Sequence, residues 1–177
     1  MFTKVLICLL FSTMSEFFTL YDFNKDTSIT DWKVIDDTVM GGVSNGKFKL
    51  NEEVNAVFYG HVSLENNGGF SSVRHKMESL NVQPYSHFEI RLKGDGKPYQ
   101  FRSRSDSSQR HSYIFKIQTT GEWQTVNVPF TEMYPAFRGN TLSIPNYAGE
   151  TLAEVAFLIG NKAEQDFTLE IDYIRLK

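Results

Sequence analysis

Apolar and polar residues alternate with a period of two along most of this chain, the spacing of a strand buried on one face. Ala56, Phe58, Gly60, Val62 and Leu64 hold one parity against Val57, Tyr59, His61 and Ser63. Phe88, Ile90 and Leu92 do the same against His87, Glu89, Arg91 and Lys93. Phe17, Thr19, Tyr21 and Phe23 share a parity that predicts a strand over Glu16 to Phe23, followed by a polar turn region over Asn24 to Asp31. Trp32 to Ile35 is a short apolar piece, and Phe48 and Leu50 mark a strand after a tight turn at Asn45-Gly46. Gly94-Asp95-Gly96 predicts a hairpin into Tyr99 to Arg104. Tyr113, Phe115 and Ile117 form the next strand, then Val126 and Val128, with Pro129 at a strand end. Residues 133–144, with Pro135 and Gly139, read as irregular with one helical turn. Val155 to Ile159 is a continuous apolar run, the signature of a strand buried on both faces. Phe167, Leu169 and Ile171 begin the last strand; Ile174 and Leu176 lie on the other phase, which predicts a bulge or two-sided burial near Asp172.

No segment sustains a helical period. Many short strands with regular turn signals predict an all-β, jelly-roll β-sandwich, with residues 16–177 as a single domain. A chain of 177 residues rich in Phe and Tyr (15 and 8) buries a core without disulfide staples. Its one cysteine, Cys8, offers neither a disulfide framework nor a thiolate metal site. Net charge is −3 and Lys and Arg form no run, which argues against nucleic acid as a partner. No apolar run approaches the roughly 20 residues of a transmembrane segment. Lys4 followed by Val5 to Phe11, with Thr13 and Ser15 beyond, makes residues 1–15 a candidate signal peptide or N-terminal extension; export to the periplasm or medium is favoured slightly over the cytoplasm.

The chemistry-bearing motifs are few. Gly42-Val43-Ser44-Asn45-Gly46 has the form of a nucleophile elbow, but such an elbow needs a strand-to-helix turn. Lys47 to Leu50 alternate like a strand, so Ser44 is assigned to a turn. Glu170 and Asp172 are similar to part of the paired-carboxylate strand of jelly-roll glucanases, yet Arg175 stands where the third carboxylate belongs. Asp172 is better suited to a structural cation or to a hydrogen bond with the first strand's backbone. His61, His75, His87 and His111 lack metal-ligand spacing; no metal or other cofactor is assigned. Gln100, Arg102 and Arg104 share one strand face, so the two guanidinium forks are available to carboxylate, phosphate or sugar hydroxyls. Cross-strand pairing with Glu or Asp is their structural alternative. Trp123, Tyr113 and Tyr134 are candidate stacking faces, and Asn66, Asn67 and Arg74 flank the second Gly-Gly pair.

Two blocks around these glycines carry a resemblance: Asp37-x-Val39-Met40-Gly41-Gly42-Val43-Ser44, and Phe58-x-Gly60-x-Val62-Ser63-Leu64-Glu65-Asn66-Asn67-Gly68-Gly69-Phe70. With Gly94-Asp95-Gly96-x-x-Tyr99-x-Phe101-Arg102, Gly121 to Thr125, Pro129-Phe130, Phe137-Arg138-Gly139 and Phe167 to Ile174, the chain resembles the complex I intermediate-associated protein 30 family from about Leu20 onward. Thr38 and Ser103 are small departures from its pattern. The resemblance implies a galactose-binding-like sandwich and a role in assembling respiratory complex I. The first residues show no Arg-rich transit pattern. The expected function is a non-catalytic binding domain that engages a protein partner in an assembly or chaperone-like role. The alternative is a carbohydrate-binding module using the concave sheet face. Ligand contacts are expected at Arg102, Arg104, Asn67, Arg74 and Trp123, while Asp37, Asn66 and Asn67 are expected to hydrogen-bond within the Gly-Gly turns.

Overall fold

The computed structural model describes residues 17–177, so the candidate signal peptide or extension lies outside the described residues. The strands are β1 (Phe18–Asp22), β2 (Trp32–Asp36), β3 (Asn45–Leu50), β4 (Ala56–Val62), β5 (Ser71–Asn81), β6 (His87–Lys93) and β7 (Pro98–Arg104). They continue as β8 (Ser112–Gln118), β9 (Trp123–Pro129), β10 (Tyr134–Phe137), β11 (Asn140–Thr141), β12 (Thr151–Ile159) and β13 (Gln165–Leu176). One sheet runs β3-β4-β13-β6-β9, with β1 also pairing β13; the other runs β11-β10-β8-β7-β12-β5-β2. The fold is an all-β jelly-roll sandwich, because the chain repeatedly leaves one sheet for the other between consecutive strands.

Alternation fixes which residues face inward. Phe58, Phe88, Tyr99, Phe101, Val155, Phe157, Leu169 and Ile171 come from both sheets into one buried cluster. Phe101 bridges the layers, with ring centroids 4.9 Å from Phe88 and 5.3 Å from Phe157. Each such side chain contributes on the order of 1.5–3 kcal/mol by leaving water. The phase change in the last strand is a bulge: the β13–β6 register shifts between Ile171 and Tyr173, returning Ile174 and Leu176 to the core.

Three local expectations are corrected. Asn45-Gly46 is no hairpin turn; it opens β3, where Gly46 sits opposite Gly60 of β4. Gly94-Asp95-Gly96 joins β6 to β7 in different sheets, so it is an inter-sheet crossover. A crossover and a hairpin call for the same turn residues, which is why composition does not separate them. Residues 133–144 hold the β10–β11 hairpin instead of a helical turn, with Arg138 (φ 49°) and Gly139 (φ 82°) at its tip, the left-handed pair of a tight turn.

The two Gly-Gly segments are also crossovers, β2 to β3 and β4 to β5, and one buried carboxylate ties them together. Asp37 Oδ1 accepts the Ser44 N–H (3.1 Å), while Oδ2 accepts the Ser44 hydroxyl (2.6 Å) and the N–H groups of Gly69 (2.6 Å) and Phe70 (3.3 Å). The Ser63 N–H donates to Ser44 Oγ (3.0 Å), and Asn66 Nδ2 donates to the Gly41 carbonyl (3.0 Å). Ser44 is therefore buried and bonded to a carboxylate, with none of the exposure of an elbow nucleophile. Asn67 contributes backbone conformation, at φ 61°. Gly42 and Gly68 are glycines because a Cβ there would lie 2.2 Å and 2.6 Å from the Asp37 carboxylate oxygens. Burial alone would raise the Asp37 pKa; the bonds from Ser44, Gly69 and Phe70 outweigh it and hold the group below the usual carboxylate range.

Candidate functional site

The outward face of the second sheet is where chemistry gathers. Antiparallel register sets its side chains in cross-strand rows. One row reads Lys33, Arg74, Ala156, Arg102, Ile114 and Tyr134, across β2, β5, β12, β7, β8 and β10. The row on one side is Lys76, Glu154 and Arg104; that on the other is Ile35, Ser72, Leu158, Gln100 and Lys116. Arg74 and Arg102 thus flank the small Ala156, which leaves room for both long side chains to lie over the strand. Ile114, Ala156 and Leu158 are buried on this outward face, separate from the core cluster. Arginine stems shield such apolar floors while the guanidinium stays at the surface.

Glu154 is 3% exposed and lies directly opposite Arg104, whose Nε is 3.4 Å from Glu154 Oε1. Arg104 Nε also donates to Ser112 Oγ (3.2 Å). Cross-strand pairing therefore holds for Arg104 and fails for Arg102, which has Ala156 and Ile114 as neighbours. Arg102 donates instead to Gln100 Oε1 from Nε (3.0 Å) and Nη2 (2.6 Å), and Arg74 Nε donates to Ser72 Oγ (3.3 Å). Burial first, then the charges of Arg74 and Arg104, pull Arg102 down to about 10, so it remains protonated at neutral pH. Arg74 is shifted downward too, by burial foremost. Within the described residues, Glu154 Oε2 has no hydrogen-bond partner.

The expected site residues separate. Arg74, Arg102 and Arg104 converge on this face, joined by Glu154 and Tyr134. Asn67 stays in the β4–β5 crossover. Trp123 lies on the outward face of the other sheet, beside Lys93, with the Arg91 guanidinium 4.7 Å from its ring centroid. Asp172 is ion-paired to Arg91, and among the described residues no group of three or more His, Cys, Asp or Glu side chains is placed to hold a metal ion; its backbone carbonyl, not its carboxylate, accepts the Phe23 N–H after β1 (2.9 Å). Tyr113 faces the core, its ring 5.1 Å from Tyr147. A shallow hollow of about 390 Å³ on the other sheet holds His61 bonded to Asp166 (2.8 Å), a bond that raises the His61 pKa; His61 is half-buried and Asp166 is exposed. Sequence reading missed Glu154; its one visible signal is a carboxylate abutting an apolar run that is buried on both faces.

The architecture is that of carbohydrate-binding modules. The family 11 module of cellulase Lic26A-Cel5E of Clostridium thermocellum superposes with a TM-score of 0.65 at 13% identity, covering 91% of this chain and 94% of the module. A family 11 module from Clostridium thermocellum solved with a β-1,3-1,4-mixed-linked tetrasaccharide gives 0.63 at 13% identity, covering 90% and 94%. At these identities the likeness shows the fold. The sequence is more specific. The family model "Complex I intermediate-associated protein 30 (CIA30)" matches residues 21–171, and the chain belongs to that family. The mouse protein named Complex I intermediate-associated protein 30, mitochondrial, is 24% identical, over 88% of this chain and 54% of its own length. Its probable Caenorhabditis elegans counterpart is 23% identical, over 87% and 52%. The chain thus spans about half the length of the curated relatives it matches. Those relatives are named as mitochondrial, which overturns the expectation of export. Among the described residues, no helix is long and apolar enough to cross a membrane.

Proposed function

We propose that this protein is a non-catalytic binding domain that acts in assembly, as its relatives' names indicate for complex I, by engaging a protein partner through the outward face of the second sheet. The observation that carries this reading is the group of guanidinium forks at Arg74 and Arg102, held in place by neutral partners and, among the described residues, with no carboxylate within ion-pairing distance. Forks of this kind give strong, directional hydrogen bonds to a partner's acceptors. The setting proposed is the mitochondrial one of the named relatives.

Glycan binding is the second reading, favoured by the likeness to a module solved with a tetrasaccharide. Affinity purification of the tagged chain from its native cells, alongside a glycan array, separates the two. A stable protein partner, depleted by Arg102→Ala and absent from glycan-only eluates, is the expected result. A neutral glycan bound by the wild type and lost in Arg102→Ala, with no protein partner, would replace the first reading by the second.

A further inference from the structure

The chain carries a net charge of −3, yet the three rows of the second sheet's outward face hold Lys33, Arg74, Lys76, Arg102, Arg104 and Lys116 against the single carboxylate of Glu154. Nothing in the sequence order announces this, because the six cations come from four strands that the topology brings side by side. Among the described residues, no carboxylate lies within ion-pairing distance of Lys33, Arg74, Lys76, Arg102 or Lys116; Arg104 is the one that reaches Glu154. Like charges in proximity, partly desolvated, are costly unless something offsets them. A face built this way is completed by an anion.

We propose that this face takes an acidic segment of a protein partner, with Arg74 and Arg102 receiving its carboxylates across Ala156. This rests on the protein-binding reading and names the chemistry of its partner. Arg104 has a different part. Glu154, buried beneath the cluster, engages Arg104 Nε and lowers the local repulsion, so it is a positioning residue. Lys33, Lys76 and Lys116 are exposed at the margins, where charge accelerates encounter more than it adds affinity. The choice of an acidic protein over a neutral sugar follows from what the rows contain. Tyr134 is the single aromatic in them, so planes on which a sugar ring stacks are scarce, while carboxylate-matching forks are not.

The probes are a ten-residue Glu-rich peptide, its Gln-rich counterpart, polygalacturonate, a neutral mixed-linkage glucan and a mixed-sequence oligonucleotide. Each is titrated calorimetrically into the whole chain and into Arg74→Met, Arg102→Met and Lys25→Met. Met keeps most of the stem packing, and matching melting curves establish that the variants fold. The Glu-rich peptide is expected to bind, weakening as salt rises, while the Gln-rich peptide does not. Arg74→Met and Arg102→Met are each expected to lower its affinity at least about tenfold, since each removes a charged hydrogen-bonding partner. Lys25→Met, in the turn after β1, is expected to leave it unchanged. Arg102→Lys is expected to recover part of the loss, because it restores charge without the fork.

Equal peptide binding by the wild type and both Arg variants would overturn the inference. So would a cellular partner retained in full by both variants, although protein binding itself would then stand. Preference for polygalacturonate or the glucan over the peptide would overturn both the inference and the protein-partner reading. Tightest binding to the oligonucleotide would do the same.

Discussion

Asp37→Ala is expected to lower the folding stability by about 3–5 kcal/mol, because several buried donors lose their acceptor at about 1–3 kcal/mol each. For a chain of this length that corresponds to a drop in melting temperature of about 6–20 °C. The cost arises because the donors do not leave with the acceptor. The N–H groups of Ser44, Gly69 and Phe70 and the Ser44 hydroxyl all lose the carboxylate that satisfies them. Asp37→Asn keeps the shape but turns an NH₂ toward some of those donors, so it is expected to recover only part of the loss. Urea unfolding of the three proteins measures this.

The same carboxylate predicts a pH dependence. Its folded-state pKa lies below the ordinary value, so the unfolded chain binds the proton more tightly. The stability it contributes is complete above the unfolded carboxylate pKa of about 3.9 and is lost as pH falls through the lower folded value. Asp37→Asn is therefore expected to flatten the acid limb of the stability curve. An unchanged acid limb would show that other carboxylates dominate it.

Gly60→Ala is expected to cost a comparable amount, roughly 3–5 kcal/mol, from backbone strain and overpacking together. Gly60 sits at φ 154°, and a Cβ there would lie 2.0 Å from the Asn45 carbonyl oxygen and 2.9 Å from Gly46 Cα. Both are backbone atoms of the paired strand β3, so no rotamer change relieves the contact. Gly96→Ala provides the contrast. Gly96 has φ 82° with open space around it, so its substitution carries only the left-handed penalty of about 1–2 kcal/mol. Equal losses in the two variants, by urea titration, would show that the clash at Gly60 relaxes.

Strands whose parity is strict were legible in the sequence. β4, β6, β7 and β8 announce themselves by alternation, and β12 by its two-sided apolar run. β5 was not legible, because its core-facing positions include Ser71 and His75 where an apolar residue would make the pattern plain. That omission matters, since β5 carries Arg74 and Lys76. The common face of Arg102 and Arg104 follows from local period alone. Their meeting with Arg74 and Glu154 depends on non-local register, which no local pattern contains. The Gly-Gly blocks revealed the internal role of Asp37, because glycines are placed there for its oxygens. Trp123 illustrates the converse: it is a plausible stacking residue by type, yet topology puts it on the far side of the sandwich.

The most direct measurement is lysine cross-linking, read by mass spectrometry, of this protein captured with its partner. The two outward faces carry separate sets: Lys33, Lys76 and Lys116 on the second sheet, and Lys47, Lys49 and Lys93 on the first. Partner cross-links concentrated on Lys33, Lys76 and Lys116, and reaching acidic segments of the partner, are the predicted result. Cross-links confined to Lys47, Lys49 and Lys93 would place the interface on the opposite sheet and contradict the account.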